Sequence, residues 1–266
     1  MEENTGNEVT RREFLRTTVV SLGSVIVIIT GSRDIVNLFA GTDSQVKDRE
    51  SSQGEYDPTK HQYVYLIDIT KCIGCGACMR ACEKENNVPP HYFRTWIERY
   101  MVSRAENVTV DSPNGGRDGF EPLVMGEVIT KAFFVPKLCN HCTNTPCVQL
   151  CPVGASYRSS DGIVLVDEER CIGCAYCVQA CPYGSRFIHP VTHTASKCTL
   201  CYHRITKGML PACVQACPVE ARMLGDRKKI DDKVSDIIAT KAIDILKPEL
   251  LTEPNCYYVG FSKEIR

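Results

Sequence analysis

The sequence lacks the common motifs for nucleotide binding and for nucleophilic catalysis. It has no G-x-G-x-x-G loop for a dinucleotide, no phosphate-binding P-loop and no G-x-S-x-G nucleophile motif. It also has no C-x-x-C-H segment for covalent haem attachment. Charge is balanced, with 31 basic and 32 acidic residues in 266, so electrostatics give no case for nucleic-acid binding. The sequence therefore favours a non-catalytic protein.

Cysteine, by contrast, is abundant. Of 17 cysteines, all but Cys256 fall into four groups of four. The groups are Cys72, Cys75, Cys78 and Cys82; Cys139, Cys142, Cys147 and Cys151; Cys171, Cys174, Cys177 and Cys181; and Cys198, Cys201, Cys213 and Cys217. The first and third have the spacing C-x2-C-x2-C-x3-C of [4Fe–4S] ferredoxins, and the other two lengthen only the middle gap. Each group thus has the composition to hold one cubane iron–sulfur cluster.

Two other uses of cysteine are less consistent with this pattern. Zinc sites favour two C-x2-C pairs separated by a spacer. Here a different pattern recurs, in which three cysteines are followed by a fourth in a closing C-x3-C. A disulfide-rich exported binding protein stays open as the non-redox alternative. Disulfide frameworks belong mainly to small domains, however, and this chain has 266 residues with 43% hydrophobic composition.

The N-terminus predicts export. The segment Thr10-Arg11-Arg12-Glu13-Phe14-Leu15-Arg16 resembles a twin-arginine signal, and the apolar stretch after it is shorter than a spanning helix. We therefore expect residues 1–40 to be a twin-arginine leader and the protein to lie at the extracytoplasmic, periplasmic face of the membrane. No clear cleavage site follows, so a retained leader and an ordinary basic membrane anchor both stay open.

The rest of the chain predicts an α+β protein with small β-hairpins, short helices and inserted strands. Residues 41–60 are polar and indicate a linker, 61–230 the cysteine-bearing domain, and 231–266 a C-terminal extension. Apolar runs predict strands over residues 63–68, 96–102, 132–136, 162–167 and 256–260. We expect short helices to begin at Cys78, Cys177 and Cys213, a turn at 114–116 and a helix over 231–247.

The four cysteine groups, their order and the C-x11-C gap resemble those of four-cluster ferredoxin-type electron-transfer subunits of membrane-linked oxidoreductases. The resemblance covers residues 60–260. Relatives include the iron–sulfur subunits of dimethyl sulfoxide, polysulfide, tetrathionate and formate-dependent nitrite reductases. With its leader, the sequence is most similar to the exported type, which includes the periplasmic ferredoxin-like subunit of the sulfite-reduction-associated complex and its menaquinol-oxidising relatives.

The resemblance implies four [4Fe–4S] clusters in a duplicated ferredoxin-like fold. One pseudo-symmetric half would comprise residues 61–138 and 186–230, and the other 139–185. In this family the last cysteine of each group binds a cluster of another group. The implied ligand sets are Cys72, Cys75, Cys78 and Cys217; Cys198, Cys201, Cys213 and Cys82; Cys139, Cys142, Cys147 and Cys181; and Cys171, Cys174, Cys177 and Cys151.

Some neighbours of the cysteines are secondary candidates. A cation beside a cluster would stabilise its reduced form, and solvated surface charge is the alternative; the candidates are Lys71, Lys137, Arg170 and Lys197. Hydrogen bonding or packing is expected of His141 and His203, and core packing of Tyr176, Tyr183, Tyr202 and Cys256.

The function that these features predict is electron transfer between other subunits, without catalysis. The resemblance implies an integral membrane, quinone-handling partner of the polysulfide-reductase type. It implies a second partner that is a molybdopterin enzyme, a multihaem cytochrome or another electron-transfer module. A free-standing exported polyferredoxin is the alternative.

Overall fold

The architecture is built around a buried strand, β1 (Tyr63–Asp68), which leads into the first cysteine group. The structure is a computed structural model that describes residues 56–122 and 128–265. The predicted leader, residues 1–40, and residues 41–55 of the predicted linker lie outside the described residues. Residues 56–60 belong to the domain, because the Tyr56 hydroxyl donates a 2.5 Å hydrogen bond to the Asp161 carboxylate.

Short elements alternate along the described chain, and the fold is mixed α and β. The remaining strands are β2 (Thr95–Ser103), β3 (Val108–Asp111), β4 (Ile129–Leu138), β5 (Ser156–Arg158), β6 (Val164–Val166), β7 (Arg186–Ile188), β8 (Ala195–Lys197), β9 (Arg222–Asp226), β10 (Ile243–Asp244) and β11 (Cys256–Val259). The helices are α1 (Ala77–Asn86), α2 (Pro146–Gln149), α3 (Tyr176–Gln179), α4 (Tyr202–Ile205), α5 (Ala212–Gln215) and α6 (Lys233–Thr240). Within the described ranges, no helix combines the length and the apolar composition that a bilayer span needs.

The largest sheet brings together distant parts of the chain. Its strand order is β10-β11-β1-β9, with β1 antiparallel to β9 and parallel to β11. All six residues of β1 are buried, as expected of a strand covered on both faces. The strands predicted over 63–68 and 256–260 are therefore confirmed, and together they form the centre of this sheet.

The other sheets are smaller and antiparallel. The strands predicted over 96–102 and 132–136 lie within β2 and β4, which pair in a sheet of order β3-β2-β4. The turn predicted between them is a 3-10 turn at Pro113–Gly116. The strand predicted over 162–167 contains β6, which pairs with β5, and β7 pairs with β8 in a second hairpin.

The helices that carry cysteines pack in two pairs. Helix α1 lies against α5, and α2 lies against α3. The first cysteine group is thus beside the fourth, and the second beside the third. The β7–β8 hairpin contacts α3, and its Ile188 and Ala195 pack with Cys147 and Cys177. Residues 186–197 therefore accompany the second and third groups, although the sequence assigned them to the other half.

The helix predicted over 231–247 is wrong in its second part. Helix α6 ends at Thr240, and Lys241 is extended with a ψ of 157°. The chain then pairs as β10 with β11. The pairing explains the early end, because residues 243–244 are extended along the edge of β11 and are not available for a helix.

Candidate iron–sulfur sites

We define sites I to IV as the four ligand sets that the resemblance implies. Site I comprises Cys72, Cys75, Cys78 and Cys217; site II comprises Cys198, Cys201, Cys213 and Cys82; site III comprises Cys139, Cys142, Cys147 and Cys181; site IV comprises Cys171, Cys174, Cys177 and Cys151. Each set joins three cysteines of one group to the last cysteine of another.

Sites I and IV each surround a small cavity. One cavity is lined by all four cysteines of site I, together with Ala221 and Arg222 from the start of β9. Another is lined by all four cysteines of site IV, together with Ile188 and Ala195 of the β7–β8 hairpin. In both places the last cysteine of a distant group completes the wall of the cavity.

The cysteines of site III and site II are also neighbours. The Cys142 thiol is close enough to those of Cys139, Cys147 and Cys181 to be influenced by their charge. Cys82 has the same relation to Cys201 and Cys213, and Cys198 to Cys213 and Cys82. The amide of Asn86 donates to the sulfurs of Cys82 at 3.6 Å and of Cys201 at 3.7 Å.

The spacing within the sites differs from that of a single-ion site. Among residues 56–122 and 128–265, no three His, Cys, Asp or Glu side chains converge as ligands of one metal ion. In a cubane each cysteine binds a different iron, so the four sulfurs stand further apart around a cavity. All seventeen cysteines are free thiols in the structure.

A glycine at the entrance to α1 allows the first loop to close. Gly76 has a φ of +70° and is the N-terminal cap residue of the helix. A Cβ at this position would lie 2.1 Å from the carbonyl oxygen of Arg117 and 2.6 Å from that of Gly116. The equivalent position in the third group is Ala175, which carries a Cβ at a φ of +63°. Close backbone approach, more than the positive φ, is what requires glycine in the first loop.

Backbone amides point at the sulfurs in several sites. Ala221 donates to Cys217 at 3.2 Å, Ala195 donates to Cys171 at 3.3 Å, and Leu200 donates to Cys198 at 3.4 Å. Cys151 likewise accepts from Ser156 at 3.4 Å. Such hydrogen bonds stabilise negative charge on sulfur and are one determinant of the potential of a cluster.

Several of the buried thiols are hard to ionise without iron. Burial raises the pKa of Cys82 and Cys142 to about 12, and the pKa of Cys72 and Cys147 to about 11. Neighbouring thiolates add to the effect at each of these residues. Coordination removes the proton of a thiol, so each ligand is expected to release one when iron binds.

The pKa of Cys139 shifts in the opposite direction. Burial alone would raise the pKa of Cys139, but the ammonium of Lys197 and the side chain of His141 lower it well below its usual value. His141 is fully buried, and its Nδ1 accepts a 3.0 Å hydrogen bond from the Val164 backbone. Its Nε2 therefore carries the proton, and it has no hydrogen-bond partner among the described residues. This supports the hydrogen-bonding role predicted for His141.

The four predicted cations differ in burial. Lys197 is 1% exposed and lies between Cys139 of site III and Cys198 of site II. Lys137 is also buried, but it forms a 2.7 Å ion pair with Glu98. Lys71 and Arg170 are exposed, so water screens their charge. Lys197 is therefore the predicted cation best placed to act on a cluster.

Two further cations beside the cysteines, Arg186 and Arg222, were not predicted from the sequence. Arg222 is 2% exposed and Arg186 4% exposed, and both lie among the cysteines. The recurring segment C-P-x3-R at Cys181 and Cys217 is the sequence signal that could have identified them. A buried arginine is rare without a partner, but burial at these positions is a property of the tertiary fold.

The remaining candidates are mostly structural. Tyr183 and Tyr202 pack against the main apolar core, and Cys256 is 1% exposed, as predicted. Tyr176, the first residue of α3, is 56% exposed, so the expectation of core packing is wrong for it. The His203 imidazole pairs with Glu85 at 2.7 Å on the surface.

Known proteins with similar sequences identify the family. Two models of the 4Fe–4S dicluster domain match residues 71–155 and 130–227. A tetrathionate reductase subunit of Salmonella typhimurium is 43% identical over 203 residues, which cover 76% of this chain and 73% of that protein. The chain belongs to the ferredoxin-type iron–sulfur subunit family.

Other members of this iron–sulfur subunit family are similar over comparable lengths. The corresponding tetrathionate reductase subunit of Archaeoglobus fulgidus is 47% identical over 201 residues, covering 76% of this chain and 83% of that protein. Protein NrfC of Escherichia coli is 40% identical over 202 residues, covering 75% and 81%. The protein is therefore a non-catalytic, electron-transfer iron–sulfur subunit, as these relatives are.

The residues present fit four [4Fe–4S] clusters. The two dicluster matches and the number of cysteines agree with this cofactor. Several buried donors beside the cysteines have no hydrogen-bond partner among the described residues; they are His141 Nε2, Arg186 Nε and Nη2, and Arg222 Nη1 and Nη2. Buried donors rarely stay unpaired in a native protein, and an anionic group at the sites would provide the acceptor.

Proposed function

We propose that sites I to IV each hold one [4Fe–4S] cluster and form a linear electron relay in the order I, II, III, IV. Each cluster supplies one-electron redox chemistry, and the ligand crossover ties the chain into a duplicated ferredoxin-like fold. Contacts between neighbouring sites support this order. Cys78 of site I is near Cys213 of site II, and Cys198 of site II is near Cys139 of site III. Cys147 of site III packs in one apolar group with Cys177 of site IV.

The exposure of the cysteines is the observation that carries the proposal. Every ligand of site II is buried, and site III has three buried ligands. Only sites I and IV have an exposed ligand, Cys75 and Cys174 respectively. A relay with two buried inner sites and two accessible end sites suits electron transfer between two partners.

The two ends have related loops with different surroundings. Ile73 and Ile172 occupy the same position in the loop sequence C-I-G-C and are 56% and 65% exposed. At site IV the apolar surface is larger, because Leu150 and Tyr176 are also more than half exposed. Extended apolar surface is typical of permanent interfaces. We assign the site IV end to an integral membrane, quinone-handling subunit, and the site I end to a further redox subunit.

Matched substitutions at the two ends test these assignments. We expect Ile172→Asp to prevent co-purification of the membrane subunit and to slow quinol-dependent reduction of the clusters at least tenfold, since a charge there would be desolvated on docking. Ile73→Asp should leave quinol-dependent reduction of the clusters unchanged and should instead prevent co-purification of the other redox subunit. Each variant is the control for the other. Equal behaviour of both variants in pull-down and stopped-flow assays would refute the assignment.

We also propose that the protein works at the extracytoplasmic face of the membrane. The sequence around Arg11 and Arg12 supports export of the folded protein with its clusters. We expect the double change Arg11→Lys and Arg12→Lys to keep the protein in the cytoplasm, as measured by cell fractionation. Because lysine preserves the charge, an ordinary basic anchor would be unaffected, and normal localisation of this variant would exclude the twin-arginine route.

A further inference from the structure

The two buried arginines occupy equivalent positions in the two halves of the domain. Arg186 follows Cys181-Pro182 and Arg222 follows Cys217-Pro218 at the same distance in sequence. Each arginine begins a strand, β7 or β9. After the first and second groups the same position holds Asn87 and Ser156, so each pair of groups has one arginine.

Each arginine lies between two sites. The guanidinium of Arg222 interacts electrostatically with Cys78 of site I and with Cys213 of site II, and Arg222 also lines the site I cavity. Arg186 has the same relation to Cys147 of site III and Cys177 of site IV.

Neither arginine has a carboxylate partner in the described part of the chain. The ion pairs there involve other cations, and the nearest polar groups to Arg222 and Arg186 are largely thiols and hydroxyls. Arg186 donates one 2.8 Å hydrogen bond, from Nη1 to Ser156 Oγ, while its Nε and Nη2 are unpaired. A permanently charged group in the interior is costly without a counter-charge. Four thiolates around an iron–sulfur core, which is net negative, would provide one on either side.

We propose that Arg222 and Arg186 are shared counter-charges, Arg222 for the clusters of sites I and II and Arg186 for those of sites III and IV. Each guanidinium raises the reduction potentials of both clusters beside it, because the added electron increases the negative charge that it faces. Through the same charge it weakens the repulsion between two neighbouring reduced clusters. The inference rests on the proposed ligand sets but does not depend on which subunits dock at the ends.

Redox titration of the purified full-length protein, monitored by EPR, tests this pairing. We expect Arg222→Gln to lower the reduced-to-oxidised ratio of the site I and site II clusters about tenfold at a fixed ambient potential, a shift of about 59 mV for one electron. The site III and site IV clusters should keep their potentials. Arg186→Gln should have the reverse pattern. Four assembled clusters with unchanged potentials, or a shift in only one cluster of a pair, would overturn the proposal.

Two further variants separate charge from structure. Lys71→Gln removes an exposed charge next to Cys72 and should shift the site I potential by less than Arg222→Gln does. Arg222→Lys keeps the charge and should retain both potentials. If Arg222→Gln assembles fewer clusters, restoration of iron content by Arg222→Lys supports a need for positive charge there. Equal loss of iron in the lysine and glutamine variants would mean that the residue is only structural, and the proposal would fail while the four-site relay stands.

Discussion

Replacing Cys217 with alanine is expected to abolish the EPR signal of the same cluster that is lost in Cys72→Ala, although the two residues belong to the fourth and first groups. Both line one cavity, and Cys217 is the fourth cysteine in its wall beside Cys72, Cys75 and Cys78. Iron content should fall from about 16 per chain towards about 12, since an incomplete cubane site does not hold its cluster stably. Iron and acid-labile sulfide analysis together with EPR of the reduced protein measures both effects.

Three other cysteines provide the controls. Cys213→Ala should affect a different cluster, the one that is also lost in Cys82→Ala. Cys256→Ala should retain all four signals, because this buried thiol lies in β11 outside the four sites. If Cys217→Ala and Cys213→Ala removed the same signal, each cysteine group would hold its own cluster, and the proposed crossover would be incorrect.

The second large effect is expected at a position that binds no iron. Gly76→Ala should lose the site I cluster, because its Cβ would overlap the backbone carbonyls of Gly116 and Arg117. Neither carbonyl can swing aside as a side chain would, so the first loop or the turn at Pro113–Gly116 has to move. We expect the same missing EPR signal as in Cys217→Ala and a lower melting temperature.

Gly184→Ala is the matched control for Gly76→Ala. Gly184 has a φ of +63°, similar to that of Gly76, but apart from its chain neighbours no heavy atom of the described residues lies within 4 Å of its Cβ position. This variant should lose only about 1–2 kcal/mol from left-handed strain and keep all four clusters. If both variants lost a cluster to the same extent, the positive φ alone would explain the requirement for glycine. The presence of Ala175 at a φ of +63° already argues against this explanation.

The elements that could be predicted are those encoded by local pattern. The apolar run at Tyr63–Asp68 and the cysteine spacing required no knowledge of the rest of the fold. Pairing was not predictable in the same way, because the neighbours of β1 are β9 and β11, at the other end of the chain. The burial of Arg222 has the same origin. Its surroundings include Tyr65 and Cys78, which are distant in the sequence, so the recurring segment C-P-x3-R marks the position of the arginine but does not reveal its burial.

The position of β1 beside β11 also sets an order of events during synthesis. The ribosome synthesises residues 63–68 long before residues 256–259, and at about 5–20 residues per second the interval is on the order of ten seconds or more. Throughout this interval β1 lacks the strand on one side, and Cys72, Cys75 and Cys78 lack Cys217. The central sheet can thus be completed only after β11 has emerged from the ribosome. Until then the nascent polypeptide exposes reduced thiols and an apolar strand that lacks a neighbour. A protein that shields both features would have to act during this interval.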